Sequence, residues 1–529
     1  MTQSVTDTAT GTALSIRYGG DEPPIPEGSL AAMLRRQAAK FGDRPAMLVP
    51  QDSGGVAPIT YAEMVGRAEN VARWLRQRCE PGSRIAIWSR NAVESVIVQH
   101  ACALAGMVVA HFNTGWTDAE VRHACDLVEP SLGFAGLGFR DADLLTRLAG
   151  IASFPVVPLT DVEAIGEIEQ SGDLPDPGPD APYLIQFTSG TTGKSKGALL
   201  SQKCVLYGGW IRPAVYGGNE YDVWLNAVPY HHIGGSIAII VGALATGSAF
   251  TVLERYDRDQ TVRLMREIRP SRMGGVPTMW HDILSSPDLP SDRAVRLVTL
   301  GGATVPPSII RAVQDKTGAT SAIGYGQSES GGITNTVLDD PIDKLCETIG
   351  RPSPHTEVMI ADSETGQPVP LGQVGEICAC SPGNMMRYWG NPEATAATIR
   401  PDLFLRTGDL GSMDEQGYVR FAGRLREVII RGGENIYPAE VEDALLSHPG
   451  IALAAVVKVP HERLGHEVGA VVTLAPGAQA DVAAFEEHAA SQIAHFKVPR
   501  HWRVLDEMPL TVSGKIRKVE LEALFEDQS

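Results

Sequence analysis

The sequence predicts an α/β protein built on a largely parallel sheet. Helix-like and strand-like segments alternate along the chain, and strand candidates such as RIAIW (84–88) and MVVAHF (107–112) are short apolar runs of the kind that covered parallel sheets contain. At 529 residues, with 43% apolar and 20% charged side chains, the chain has ordinary globular usage and the length of about three or four domain-sized units.

The elements follow in order. Ser29 precedes an amphipathic run with Leu30, Met33, Leu34, Ala38 and Phe41 on one face, and Gly42 ends it. Thr60 and Glu63 have the spacing of a capping box at the head of a second helix that runs to about Gln77. Pro81 and Gly82 punctuate the chain before RIAIW, a helix is predicted over 93–105, and MVVAHF follows. The Pro-, Asp- and Gly-rich stretch 172–182 breaks the pattern, as a loop that joins subdomains or lies on the surface does. Beyond it, YLIQF (183–187) reads as a strand, TMWHDILSS (278–286) as a helix and RLVTLGG (296–302) as a strand entering a glycine turn, and such signals recur to about residue 425.

Charge and cysteine usage exclude several classes. A net charge of −18 argues against nucleic acid as a partner, because phosphate backbones are bound by clustered cations. Seven scattered cysteines without a CxxC pair fit reduced thiols in a cytoplasmic protein, with Cys378 and Cys380 as a core pair on one strand face. The opening MTQSVTDTATGTALS has neither the basic region nor the apolar core of a secretory signal. Residues 223–253 contain no Lys, Arg, Asp or Glu, but Pro229, His231, His232, Gly234, Gly235, Gly242 and Gly247 interrupt them. The strongly apolar run 237–245 is too short to cross a bilayer, so a buried core segment is expected and no membrane span.

The segment TSGTTGKSKG (188–197) carries the most chemistry. It leaves a predicted strand and enters a loop whose glycines let backbone N–H groups approach phosphate oxygens, whose hydroxyls add donors, and whose Lys194 and Lys196 neutralise charge. A P-loop is the competing reading. Its GxxxxGK[ST] spacing, ending at Gly193, Lys194 and Ser195, requires glycine where this chain has Thr188.

As a whole, TSGTTGKSKG resembles the phosphate loop of the acyl-adenylate-forming superfamily, which comprises acyl- and aryl-CoA synthetases, luciferases and nonribosomal adenylation domains. Further matches follow in order. The resemblance implies that Thr188, Ser189, Gly190, Thr191, Thr192 and Lys196 hold phosphates, and that Thr188 and Glu329 hold Mg²⁺. YGQSES (325–330) is similar to the family's YGxTE element, which implies Tyr325 stacking on adenine beside Gly326 and Ser328; serine stands at 328 where threonine is usual. GGATVP (301–306) resembles the turn that packs adenine, implicating Gly301, Gly302 and Ala303. RTGD (406–409) and the GR of GRLRE (423–427) resemble the ribose-binding pair, Asp409 and Arg424. PYHHIGG (229–235) is similar to the element whose histidine stands between nucleotide and acyl sites, here His232 with His231 as neighbour. Gly234, Gly235, Ile237 and Ala238 join His232 in the implied acyl pocket. The small-residue segment 234–248 fits a roomy apolar pocket or close helix packing equally. Amino-acid-activating members place an Asp just beyond this region; 233–253 has no acidic residue, so an aryl, fatty or bulky apolar acid is expected rather than an α-amino acid.

The rest of the chain resembles the family's small, mobile α+β C-terminal domain. The resemblance implies an N-terminal adenylate-forming domain over 1–425, a C-terminal domain over 426–529 and a hinge at Arg426. PLTVSGKIRK (509–518) carries the implied catalytic lysine, Lys515, whose ammonium would stabilise charge building on the α-phosphate. The GGEN loop (Gly432, Gly433, Glu434, Asn435) and HFKVPR (Phe496, Lys497, Arg500) are similar to coenzyme A contacts, with two departures: Leu464 stands where some CoA ligases have Trp and Val498 where some have Arg.

Together these features imply a stand-alone acid–thiol ligase, monomeric or homodimeric, using ATP, Mg²⁺ and coenzyme A on a small carboxylic acid, with Lys515, His232 and Glu329 as catalytic groups. Three alternatives remain open: loading of a carrier-protein phosphopantetheine, specialisation for one half-reaction, or a P-loop-like NTPase.

Overall fold

The computed structural model describes residues 12–138, 141–188, 195–225, 228–290, 295–303, 305–432, 434–511 and 515–528. The local expectations hold. Helix Leu30–Phe41 starts at Ser29, whose side chain accepts from the Ala32 N–H. Helix Tyr61–Arg76 carries the full capping box of Thr60 and Glu63, a device that contributes about 1 kcal/mol to a helix end. Helix Val93–Ala105 is buried from Ser95 to Ala105, packed on every side, and carries Gln99 and His100 into the core.

Three sheets form the large N-terminal part among the described residues. One has the parallel strands Val108–His111, Arg84–Trp88, Leu132–Ala135 and Val156–Pro158; Pro182–Thr188 lies parallel to the first of these and pairs antiparallel with Lys196–Ser201. In the second, parallel strands from Pro45–Pro50 through Ala249–Thr251, Val223–Leu225, Arg272–Gly275, Leu297–Leu300 and Thr320–Gln327 are flanked by antiparallel edges. The third is antiparallel throughout: Ile16–Tyr18, Glu357–Ala361, Gly375–Cys380, Leu405–Met413 and Val419–Arg424. Cys378 is buried there, while Cys380 is partly exposed.

A smaller C-terminal unit follows. Hairpin strands Ile451–His461 and Gly465–Leu474 form its centre, with Ile429–Arg431, Glu434–Ile436 and His501–Leu505 added around them and helices Pro438–Leu446 and Val482–Gln492 on the sheet. Its core is separate, built on Ile429, Ile436, Val441, Leu445, Val456, Val468 and Phe485. No helix among the described residues is long and apolar enough to cross a membrane.

The charge-free stretch 223–253 forms strands and a buried helical segment. Residues Gly234–Ile239 make a π-helical turn that continues into the helix Ile240–Thr246, a wide turn the sequence did not announce. Its small residues serve close packing: a Cβ at Gly209 of helix Gln202–Val215 would lie 2.7 Å from Val241, and one at Gly242 3.1 Å from the Gly209 carbonyl. That carbonyl lacks its usual helical donor, because the residue four positions on is Pro213, which has no N–H.

Candidate active site

The glycine turn after strand Leu297–Leu300, the strand Thr320–Gln327 and the strand pair at 405–424 converge on one region, and the C-terminal unit inserts Lys515 into it. Gly302 has φ +78°, and a Cβ there would stand 4.0 Å from Lys515 Cε and 3.5 Å from Val276. A Cβ at Gly301 would come 2.4 Å from the Gly324 carbonyl, and one at Gly326 2.7 Å from the Gly332 nitrogen. Only glycine allows the turn and the strand to lie this close. Ala303 is exposed beside the turn and Ser328 half-buried.

Asp409 and Arg424 are directly opposed across two antiparallel strands, with Arg424 Nε 3.5 Å from Asp409 Oδ1. Tyr325 donates its hydroxyl to Asp409 Oδ2 at 2.7 Å. Burial pushes the Asp409 carboxyl up, while Arg424 and the Tyr325 hydroxyl hold it down. The Tyr325 phenol is raised well above its ordinary value by burial and then by the Asp409 charge, so it stays a donor. Asp409 thus has one oxygen bonded by Tyr325 and the other beside Arg424, and Arg424 also lies 3.8 Å from Glu427.

Lys515 is anchored by its backbone. Its N–H donates to Thr511 Oγ1 at 3.0 Å, and the Thr511 N–H donates to the Lys515 carbonyl at 2.7 Å. Burial, with Arg424 nearby, lowers the ammonium from the ordinary lysine value; Asp409 and Glu329 act against that lowering. Glu329 is buried and accepts from the Tyr388 hydroxyl at 2.7 Å through one carboxylate oxygen. Lys196 Nζ lies 4.9 Å from the centre of the same Tyr388 ring, and Lys196 faces Thr188 across the strand pair that brackets the phosphate-loop segment. Ser189, Gly190, Thr191 and Thr192 lie outside the described residues.

The rings of the two histidines lie 4.9 Å apart between centres and are tilted by 45°. Burial, reinforced by the Lys515 charge, holds His232 down at about 4. His231 is also depressed by burial, and its Nε2 has no hydrogen-bond partner among the described residues. Beneath them lies a buried polar cluster: Gln186 Nε2 donates to the His231 carbonyl at 2.5 Å, Gln99 Nε2 donates to the Ser236 carbonyl at 2.9 Å, and His111 meets Gln99 Oε1 at 3.0 Å. Of the implied acyl-pocket residues, Gly235 and Ile237 are buried in packing, against Pro229 and Gly208 respectively, whereas His232, Gly234 and Ala238 keep partial exposure.

The residues implied for coenzyme A are held within the C-terminal unit. Gly432 has φ +60° and packs on Leu464, Glu434 and Asn435 are exposed, and Phe496 sits at the edge of the core. Lys497 is paired with Glu440 at 2.6 Å, and Arg500 donates to His495 at 2.8 Å. Gly433 lies outside the described residues. Arg426 sits in a single 3₁₀ turn, Leu425–Glu427, and its carbonyl accepts from Lys458.

Lys515 from the C-terminal unit thus stands near the Asp409–Arg424 pair and Glu329, at the meeting of two segments that comparison with known proteins also separates. A family model described as AMP-binding enzyme matches residues 34–389, and a second, described as AMP-binding enzyme C-terminal domain, matches 440–515. The chain belongs to the AMP-binding enzyme family. Among curated members it is 32% identical to the mitochondrial medium-chain acyl-CoA ligase ACSF2 of Danio rerio, over 97% of this chain and 90% of that one. It is 30% identical to the sulfoacetate–CoA ligase of Cupriavidus necator, over 93% and 96%. Among solved AMP-binding enzymes, ATP-bound MatB from Rhodopseudomonas palustris superposes with a TM-score of 0.84 at 30% identity, covering 94% of this chain and 99% of that one.

Three neighbours of the site escaped sequence reasoning. Tyr388, which fixes Glu329, stands in MMRYWG, a stretch whose only signal is an aromatic residue beside glycine. Gln99 and His111 are polar positions inside apolar runs, a pattern that marks buried hydrogen-bonded groups.

Proposed function

We propose that this chain activates a carboxylic acid with ATP as acyl-AMP and transfers the acyl group to coenzyme A, as an acyl-CoA synthetase. The observation that carries this reading is the burial of Lys515, contributed by the C-terminal unit, against Gly302 among Asp409, Arg424 and Glu329. Residues 1–425 form the adenylating part and 426–529 the mobile part, with Arg426 at the hinge.

In the first half-reaction the acid's carboxylate oxygen attacks the α-phosphorus of ATP and the bond to pyrophosphate breaks. Tyr325 flanks the adenine against the turn at Gly301, Gly302 and Ala303, and Asp409 and Arg424 take the ribose hydroxyls. Thr188, the 189–192 loop and Lys196 hold the phosphates. Lys515 places its ammonium where negative charge grows on the α-phosphate. His232, neutral because burial and Lys515 keep its proton off, borders the carboxylate without adding charge. Glu329 has one oxygen engaged by Tyr388, which suits a magnesium ion carried by the phosphates, since that ion is bound through one or two carboxylates plus phosphate oxygens. Glu329 and Thr188 would hold it, and it would neutralise phosphate charge. In the second half-reaction the coenzyme A thiol sulfur attacks the acyl carbon, the bond to AMP breaks, and the thiol proton leaves to solvent.

Purified protein incubated with ATP, Mg²⁺, coenzyme A and a panel of acids tests this: AMP, pyrophosphate and an acyl-CoA are expected. ADP and phosphate would overturn it in favour of an NTPase. A second reading has an observation behind it. Lys497 is already committed to Glu440, and Leu464 and Val498 supply neither stacking nor charge, so phosphopantetheine on a carrier protein is the rival acceptor. Acyl transfer to a carrier protein but not to coenzyme A would decide for it.

A further inference from the structure

The helix Gln202–Val215 carries two cations, the exposed Lys203 in its first turn and the half-buried Arg212 near its end. Among the described residues the buried Arg212 Nε has no hydrogen-bond partner and its guanidinium makes no ion pair. Arg272 offers a contrast: its guanidinium, more deeply buried than the half-buried Arg212, is held by Asp222 Oδ2 at 2.5 Å and donates to the Tyr216 carbonyl at 2.8 Å. The Tyr216 hydroxyl, the polar group nearest Arg212 in sequence on its own side of the fold, is spent on the Ile323 carbonyl and Asn335.

The space Arg212 fills is made for it. A Cβ at Gly324 would lie 2.6 Å from Arg212 Nε, 3.0 Å from Nη2 and 3.2 Å from Cζ, so any other residue at 324 would expel the guanidinium. Gly324 adjoins Tyr325, and its carbonyl is what a Cβ at Gly301 would strike. Arg212 and Lys515 are thus separated by the glycines of the turn and strand: Lys515 on Gly302, Gly301 on Gly324, Gly324 on Arg212. One turn back along the same helix, Gly208 faces Ile237 and Gly331 beside the implied acyl pocket. Arg212 therefore lies one helical turn from a residue that borders the implied acyl pocket, and against the glycine that precedes Tyr325.

A guanidinium does not shed its proton, and a buried one without an acceptor is costly unless a ligand supplies the counter-charge. Burial pulls Arg212 below its ordinary value, with only the Tyr216 phenol opposing. We propose that Arg212 is a specificity-determining residue that receives a second anionic group, a carboxylate or sulfonate, at the end of the substrate remote from the activated carboxylate. This rests on the reading of the site as an acid-activating one, and it replaces the apolar acid expected from composition with a doubly anionic one. Planar, two-pronged donation from guanidinium to such a group also fixes the orientation of the acid, so that only the other end meets ATP.

The test compares matched acids, butanoate with succinate, hexanoate with adipate, benzoate with terephthalate, and each with its sulfonate analogue, by pyrophosphate release. Binding of each free acid to the full chain is measured in parallel by calorimetry. At least one dianion is expected to exceed its monoacid in kcat/KM, and Arg212→Met is expected to reduce that preference about 100-fold, with Arg212→Lys restoring part of it. The sulfonates and dicarboxylates separate the two sources of the anion. The inference is overturned if every pair favours the monoacid, or if Arg212→Met lowers both members of a pair by the same factor. If no acid yields AMP but a dianion binds and Arg212→Met abolishes that binding, the inference stands and the ligase reading fails. If no dianion either binds or turns over, the inference fails whatever the monoacids do.

Discussion

Replacing Lys515 by alanine separates the two half-reactions. The ammonium is enclosed, its Cε within 4.0 Å of the Cβ position at Gly302, and Asp409 and Glu329 are the anions that act against the lowering of its pKa. In a site with an effective dielectric of about 20, a unit charge about 4 Å from developing phosphate charge contributes about 4 kcal/mol. That corresponds to about a thousandfold in rate, similar to what removal of one preorganised donor costs in other active sites. Acyl-AMP formation in K515A, followed by pyrophosphate release, should therefore fall about a thousandfold or more. Thioester formation from preformed acyl-AMP should change by only about threefold, because no phosphorus is attacked in that step. A thermal melt of K515A checks that the fold survives. Equal loss of both steps in a folded variant would refute the role given to Lys515 and would point to a structural lysine.

The remaining predictions concern stability. His100, His111 and His232 are each held at about 4 by burial, so between pH 6.5 and 4 the unfolded chain binds protons that the folded chain refuses, and stability falls as pH falls. Each contributes a loss of about 2 kcal/mol at pH 5 relative to neutral pH; urea titrations at pH 7 and 5 with unchanged midpoints would contradict this. Asp222 is buried, and although burial pushes its carboxyl up, Ser271 and the arginines hold it below the ordinary range, so D222A strands Arg272 and should cost about 3–5 kcal/mol in urea melts; a change under about 1 kcal/mol would show the pair to be dispensable. G209A forces a Cβ to within 2.7 Å of Val241 and should cost about 1–3 kcal/mol with Tm lowered; an unchanged Tm would return the small-residue segment to the pocket reading.

Local chemistry was legible because it is encoded locally. The Thr60–Glu63 box, the Ser29 cap and the apolar strands RIAIW and MVVAHF need no distant partner, and they appear where the spacing put them. The antiparallel sheet of the large part was not legible, because its registers join remote segments: Ile16 pairs with Met359, and no turn signal links them. The π-helical turn at Gly234–Ile239 is also hidden, since a run of Gly, Ser, Ile and Ala fits an ordinary helix; what selects the wider turn is the approach of helix Gln202–Val215 at Gly208 and Gly209.

The candidate site shows the same division. Tyr325, Glu329, Asp409, Arg424 and Lys515 were readable as motifs, and the fold brings them together because motif spacing keeps chemistry that a shared ligand requires. Tyr388 and Arg212 lie outside those motifs and act through contacts that only the fold creates. Arg212 is a lone charge in the apolar run YGGWIRPAV, and such a charge is normally solvated, so the sequence carries no signal for it. Its meaning depends on Gly324, more than a hundred residues away, whose missing side chain admits the guanidinium. Composition marks the segment 234–248 as small and apolar, and within it Gly235 and Gly242 serve close packing while Gly234 and Ala238 keep partial exposure. Such an average passes over a single position like Arg212, whose buried Nε without a partner among the described residues is a feature only the fold creates. If Arg212 receives a second anion as proposed, the pair Arg212 and Gly324, rather than the composition of the segment 234–248, sets the chemistry of the substrate's far end.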